Sequence, residues 1–253
     1  MLPDPFSLKG KSALVTGSSR GLGAAIAVAL AQAGAGVAIH GSSAEPKATQ
    51  HKLDALGAKS FALVGDVADA SVCSRLVEET VAHFGKIDIL VNNAGMIRRA
   101  PAADYSEEDW STLIEVNLNS VFRLTQIAGR HMLERGSGKI INIASLLTFQ
   151  GGIMVPAYAA AKGGVGQLTK AFANEWAPKG VNVNAIAPGY METDNTEALK
   201  SNPERARQIL ERIPAGRWGR PEDLAGAAVF LASAASDYVH GHILVVDGGW
   251  LNR

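Results

Sequence analysis

Thr16-Gly17-Ser18-Ser19-Arg20-Gly21-Leu22-Gly23 decides the fold. It closes a short apolar run, Ser12–Thr16, and opens straight into an alanine-rich helical pattern. Glycines between a strand and a helix make a tight turn. They also bring backbone N–H groups close to a pyrophosphate at the helix N-terminus. A lone glycine pattern is weak, but this one sits in the first strand–turn–helix unit, the context that marks a dinucleotide loop. Gly17, Ser19, Arg20, Gly21, Leu22 and Gly23 are therefore candidate cofactor contacts. The spacing is G-x-x-x-G-x-G and departs from the commoner G-x-G-x-x-G.

Outward from the loop, short β-branched runs alternate with helical patterns. Ser12–Thr16, Gly36–His40, Ser60–Val64, Ile87–Asn92, Lys139–Ala144, Val181–Ile186 and Ile243–Val246 read as strands. Most are continuous in apolar residues, which suits parallel strands buried on both faces. Between them, Val72, Leu76, Thr80, Val81 and Phe84 fall on one helical face, as do Leu224, Ala227, Ala228 and Leu231. The expected fold is α/β: one domain over 1–253, a doubly wound, seven-stranded parallel sheet with helices on both faces. Ligands in such sheets sit beyond the carboxyl ends of the strands. The stretch 190–214 breaks the rhythm, with a helical segment near Glu204–Arg212. It follows a strand end and is expected to form a helical lid over the ligand crevice.

Composition narrows the function. Lys plus Arg total 24 and Asp plus Glu total 24 among 253 residues, so no basic surface for nucleic acid is expected. The longest apolar stretch, Ala24 to Ile39, is too short to span a bilayer, and Met1 to Gly10 lacks the pattern of a signal peptide. The single cysteine, Cys73, fits a reducing compartment. A cytoplasmic protein without membrane or nucleic-acid partners is expected. The six histidines show no i, i+4 pair and no cysteine partner, so no metal site is expected.

Further residues mark the strand ends. Asn92-Asn93-Ala94-Gly95 closes the fourth strand and Ser145 the fifth. Tyr158-Ala-Ala-Ala-Lys162 opens the next helix, Pro188-Gly189 follows the sixth strand, and Asn117 lies in a helical pattern. Tyr158 and Lys162 are i, i+4 and share a face. A nearby ammonium favours a phenolate, and an activated tyrosine can remove or return a hydroxyl proton. Together these motifs resemble the short-chain dehydrogenase/reductase family, over essentially the whole chain.

That resemblance implies a set of roles. Tyr158 would be the acid/base, Lys162 would support it and bind the nicotinamide ribose, Ser145 would hold the substrate oxygen, and Asn117 would anchor a water in a proton relay. Asp66 would bond the adenine, with Val67 beside it, although Asp66 also reads as a helix cap. Asn93, Ala94, Gly95, Pro188 and Gly189 would line the cofactor, and Thr193 would contact the nicotinamide carboxamide. The family also pairs the helices around Asn117–Arg130 and Tyr158–Trp176 across a two-fold axis. That implies a homotetramer, with Val121, Leu124, Val165, Leu168, Phe172, Trp176 and the tail residues Trp250 and Leu251 as candidate contacts.

Within the family the resemblance is nearest to the 2-dehydro-3-deoxy-D-gluconate 5-dehydrogenases and gluconate 5-dehydrogenase-like members. It rests on NNAGMIRR (92–99), FQGGIMVPAY (149–158), NVNAIAPGYMETDNT (182–196) and RIPAGRWG (212–219). An NAD(P)-dependent alcohol–ketone oxidoreductase acting on a sugar acid is implied. A 3-oxoacyl-carrier-protein reductase, a neutral sugar or polyol dehydrogenase, and a non-catalytic dinucleotide-binding protein are the alternatives. The cofactor can be read from the residues. The second strand ends His40-Gly41-Ser42-Ser43, with no acid before Glu45 to accept a ribose 2′-OH. Arg20 can pair with a 2′-phosphate, Ser42 and Ser43 can bond it, and His40 at the same strand end is a further candidate cofactor contact. NADP is therefore expected over NAD, with NAD use possible. A carboxylate leaving water needs a charged partner. Arg98, Arg99 and Arg217 are the expected readers, and Gln150 is the expected contact for sugar hydroxyls.

Overall fold

The protein, described by a computed structural model over residues 4–253, is built on one seven-stranded sheet. The strands are β1 (Ser12–Val15), β2 (Gly36–Gly41), β3 (Ser60–Val64), β4 (Ile89–Asn92), β5 (Gly138–Ile143), β6 (Val181–Pro188) and β7 (Ile243–Val246). Their order is β3-β2-β1-β4-β5-β6-β7, and every pairing is parallel. All seven expected strands form. The helices are α1 (Gly21–Gln32), α2 (Lys47–Ala55), α3 (Ala70–Phe84), α4 (Glu107–Ile114), α5 (Ser120–Arg135), α6 (Pro156–Trp176), α7 (Asp194–Lys200), α8 (Pro203–Arg212) and α9 (Ala225–Ala232).

The continuous apolar runs divide by alternation between two cores. Ala13 and Val15 of β1, Val37 and Ile39 of β2, and Ile89 and Val91 of β4 face α1 and α9. Leu14, Ala38 and Leu90 face the opposite layer, with Leu76 and Val77 of α3 and Leu124 and Ala128 of α5. Both faces of the sheet are thus covered, which is why the strands do not alternate in polarity.

A buried polar chain crosses the sheet beneath the functional edge. Asn92 donates to Thr125 of α5 at 3.0 Å and to Asn142 of β5 at 2.8 Å. Asn142 donates in turn to Thr169 of α6 at 2.9 Å. These four side chains fix α5 and α6 against the central strands, and each bond satisfies a buried donor.

The segment after β6 holds two helices where the sequence pattern indicated one. α7 has only seven residues and too short an apolar period to read, and it is defined by the Thr193–Thr196 capping box. α8 is anchored by Ile209, buried in a satellite cluster with Leu146, Ile213, Trp218 and Trp250. The ends of the segment are stitched together. Glu192 N–H donates to Gly219 O at 2.7 Å, and Gly219 N–H to Tyr190 O at 2.9 Å.

Candidate active site

The carboxyl ends of β1, β4, β5 and β6 bring the motif residues to one edge. At β1 the glycine loop turns with Gly17 at φ +62°, and a Cβ there would stand 2.8 Å from Ala94 Cα. A Cβ on Gly23 would meet Gly17 O and Asn93 Nδ2 at 2.4 Å each. The loop after β4 is lashed to this turn. Asn93 Nδ2 donates to Thr16 O at 2.8 Å, and the Asn93 and Ala94 N–H groups donate to Thr16 Oγ1 at 3.0 and 3.1 Å. The result is a cradle that side chains would fill, of the kind a pyrophosphate needs. Gly21 lies beside Thr193, whose Cγ2 is 3.7 Å from the position of an added Cβ.

His40 does not face the cofactor space with its ring. Nδ1 accepts from Gly17 N–H at 3.0 Å and Nε2 donates to Gly65 O at 2.8 Å, and the residue is buried. Burial pulls its pKa below the usual histidine value, so the ring is a neutral prop under the glycine loop. Val67 is likewise a core residue, which leaves only its backbone for a ligand. Asp66 is exposed and accepts from Ala68 N–H at 3.0 Å. The cap of α3 is Asp69, which resolves the helix-cap alternative for Asp66. Ser42 and Ser43 are exposed at the end of β2. Arg20 is exposed too, with Nε 2.5 Å from the carboxylate of Asp194.

Pro156 starts α6 at its first turn, where a missing N–H costs nothing, and sets Tyr158 and Lys162 on the face toward β5. Ser145, extended at the end of β5, accepts from Leu147 N–H at 3.2 Å and is hydrogen-bonded to Tyr158. Burial raises the Tyr158 phenol above its usual range, against the Ser145 bond and the charge of Arg99, which lower it. Lys162 is buried, and burial pulls its pKa down to about 8. Its Nζ donates to Ile143 O at 2.6 Å and lies 5.7 Å from the centroid of the Tyr158 ring. The ammonium thus takes a carbonyl acceptor, and Arg99 supplies the cationic influence on the phenol. Asn117 sits in a π turn, 115–119, a local unwinding common at functional sites. Its amide accepts from Met96 N–H at 2.9 Å and donates to Met96 O at 2.7 Å, so it pins the loop after β4.

A cleft of about 400 Å³ opens at Ser145 and Tyr158. One wall is the loop Gln150–Ile153. Next to that loop, Met154 takes φ +63°, a conformation in which it is alone among the described non-glycine residues. The other wall carries Thr196 and Leu199 of α7, Arg205, Gln208, Ile209 and Arg212 of α8, and Trp250.

A family model described as enoyl-(acyl carrier protein) reductase matches residues 17–251, nearly the whole chain. The chain belongs to the short-chain dehydrogenase/reductase family. This short-chain dehydrogenase/reductase is 55% identical over 252 residues to the 2-dehydro-3-deoxy-D-gluconate 5-dehydrogenase of Bacillus subtilis, covering 100% of this chain and 99% of that one. A protein from Agrobacterium tumefaciens solved with bound NADP is 56% identical, with a TM-score of 0.93 over 99% of this chain and 100% of that one. A gluconate 5-dehydrogenase from Burkholderia cenocepacia, solved with NADP and tartrate, is 44% identical, with a TM-score of 0.94 over 99% and 98%.

The structure sorts the arginines of this dehydrogenase/reductase differently from the sequence. Arg98 is drawn from the cleft to Asp109, at 3.2 Å, in the acidic first turn of α4. Arg217 bonds Asp223 through both terminal nitrogens, at 2.6 and 3.0 Å, which holds that carboxyl down to about 2. Neither lines the cleft, whereas Arg99 and Gln150 do. Arg205, Gln208 and Arg212 were missed. Their signal was the spacing i, i+3, i+7 on one face of α8. Among the candidate subunit contacts, some face the sheet. Val121, Leu124, Val165, Trp176 and Trp250 are buried within the chain. Phe122 remains exposed on α5, stacked at 6.1 Å on the half-buried Phe172.

Proposed function

We propose that the chain is an NADP-dependent oxidoreductase that interconverts a secondary alcohol and a ketone on a sugar acid. One observation carries the reading. The hydrogen-bonded Tyr158–Ser145 pair opens into a cleft lined by Arg99, Arg205 and Arg212 and by no Asp or Glu among the described residues. An anionic substrate fits that charge, and Gln150 and Gln208 can bond its hydroxyls. The names of the relatives point to the same class of substrate.

Gly17, Ser19, Gly21, Leu22 and Gly23 would hold the pyrophosphate, with Asn93, Ala94, Gly95, Pro188, Gly189 and Thr193 along the nicotinamide side. NADP, when bound, supplies the hydride acceptor or donor. Ser145 positions the substrate oxygen against the Tyr158 hydroxyl. Tyr158 takes the alcohol proton in oxidation and returns one in reduction. Lys162 stays beside it as a buried donor within reach of a ribose. Asn117 holds the loop that carries Asn93–Gly95, and a water anchored at its backbone would complete a proton path.

Arg20, Ser42 and Ser43 would receive the 2′-phosphate. The Arg20–Asp194 pair is exposed, and such pairs are weak enough for a dianionic phosphate to displace. The segment 190–214 acts as the substrate lid. A cytoplasmic homotetramer completes the reading, supported by the aromatic strip of Phe122 and Phe172. A light-scattering mass near 26.4 kDa would refute the oligomer.

The test is nicotinamide absorbance with 5-keto-D-gluconate, its uncharged amide and an acetoacetyl thioester, each with NADPH and NADH. Turnover of the acid with NADPH, lost preferentially over NADH in Arg20→Ala, is expected. Preference for the thioester or the neutral analogue would overturn the substrate class.

A further inference from the structure

Helix α8 separates its charges by face. On its outer side Arg207 bridges Glu204 at 2.9 Å and Glu211 at 2.6 Å. On the side lining the cleft stand Arg205, Gln208, Ile209 and Arg212, spaced i, i+3, i+4 and i+7. Ile209, only 1% exposed, fixes the rotation of the helix, so this face cannot turn away. Neither inner arginine meets an Asp or Glu carboxylate among the described residues. Arg205 donates to Gln208 Oε1 at 3.3 Å, and Arg212 donates to an oxygen of Arg253, the last residue, at 3.4 Å. The Arg212 guanidinium also lies 4.0 Å from the centroid of the Trp250 ring.

We propose that Arg212, with Arg205 beside it, is the carboxylate anchor of this site. The proposal rests on the sugar-acid reading and assigns that reading's charge recognition to α8. With its guanidinium carbon 4.0 Å from the indole centroid, Arg212 keeps N–H groups beyond the one donated to Arg253, enough for a bidentate carboxylate bond. Stacking also orders the side chain before the ligand arrives, so less freedom is lost on binding. The chain as a whole carries no net charge, yet three acids on α7 and α8 are engaged by other partners. Glu204 and Glu211 pair with Arg207, Glu204 also accepts from Gln208 Nε2 at 2.9 Å, and Asp194 holds Arg20. The positive charge of the cleft is therefore local. Seven residues of helix span ~10 Å, so Arg205 meets the substrate further along the cleft than the anchor at Trp250.

The experiment compares wild type with Arg205→Met, Arg212→Met and Arg212→Lys on 5-keto-D-gluconate and on its uncharged amide. NADPH binding, followed by fluorescence, serves as the control for folding. Arg212→Met should raise KM for the acid on the order of 10–100-fold and leave the amide within about twofold. Arg205→Met should act in the same direction but less. Arg212→Lys keeps the charge without the planar fork and should fall between wild type and Arg212→Met. If wild type prefers the acid and all three variants keep that full preference, the anchor assignment fails while the sugar-acid reading stands. If wild type itself does not distinguish acid from amide, the sugar-acid reading fails and takes the anchor with it.

Discussion

At Tyr158 three influences meet: burial, a hydrogen bond from Ser145, and the charge of Arg99. The first raises the phenol and the other two lower it, so the pH dependence of the reaction is set by their balance. Oxidation needs the phenolate and should rise with pH through the Tyr158 pKa. Reduction needs the phenol and should fall through the same value. Arg99→Gln removes a lowering influence, so the pKa goes up and both limbs should move to higher pH. Profiles of kcat/KM in both directions check this, and an unmoved limb or one moved to lower pH contradicts it. Tyr158→Phe keeps the ring packing and removes the proton. Turnover should drop by about 10²–10⁴-fold with NADPH binding intact. Near-wild-type turnover in a folded variant would end the assignment. The proposed proton-handling pair was legible in the sequence because its geometry is local: i, i+4 spacing puts Tyr158 and Lys162 on one face without further information. The arginines were not. Which of them lines the cleft depends on where Asp109 and Asp223 stand, and those partners lie 11 and 6 residues away along the chain from Arg98 and Arg217.

Among the elements, the buried chain Asn92–Asn142–Thr169 with Thr125 ties α5 and α6, the latter carrying Tyr158 and Lys162, to β4 and β5. Asn142→Ala would leave Asn92 and Thr169 each short of a partner in the core. Each unsatisfied buried group costs about 1–3 kcal/mol, so a loss of that order or more is expected in urea unfolding. Because α5 and α6 would then sit less firmly, kcat should fall more than the affinity for NADPH. A variant as stable as wild type would show that the chain is dispensable. The strands were legible because doubly buried parallel strands are apolar throughout, a pattern that survives without knowledge of their neighbours. α7 was not, since its seven residues are held by the Thr193–Thr196 cap rather than by an apolar period. For His40, position at the end of β2 suggested a ligand contact. Only the tertiary structure reveals that both ring nitrogens are already used.

Across the whole molecule, the proposed cofactor and substrate features divide between different parts of the chain. The glycine loop and the ends of β1, β2 and β4 belong to the sheet, whereas one wall of the cleft belongs to the segment between β6 and α9. The bonds between Tyr190, Glu192 and Gly219 make that segment a closed loop with its two ends already joined. A closed loop can change length cheaply, since doubling it adds only about 0.6 kcal/mol of closure entropy. It can also change content without altering the path of the strands. Residues 194–217, beyond the Thr193 assigned to the cofactor, therefore form an exchangeable cassette. Replacing them with a segment of different charge and length that keeps Tyr190, Glu192 and Gly219 should leave the NADPH dissociation constant within a few-fold while resetting substrate preference. Loss of cofactor binding in a folded chimera would show that the two halves are not separable. If they are, a lineage built on this scaffold can acquire new substrates through one interchangeable stretch of chain, while the machinery that handles the nucleotide is inherited unchanged.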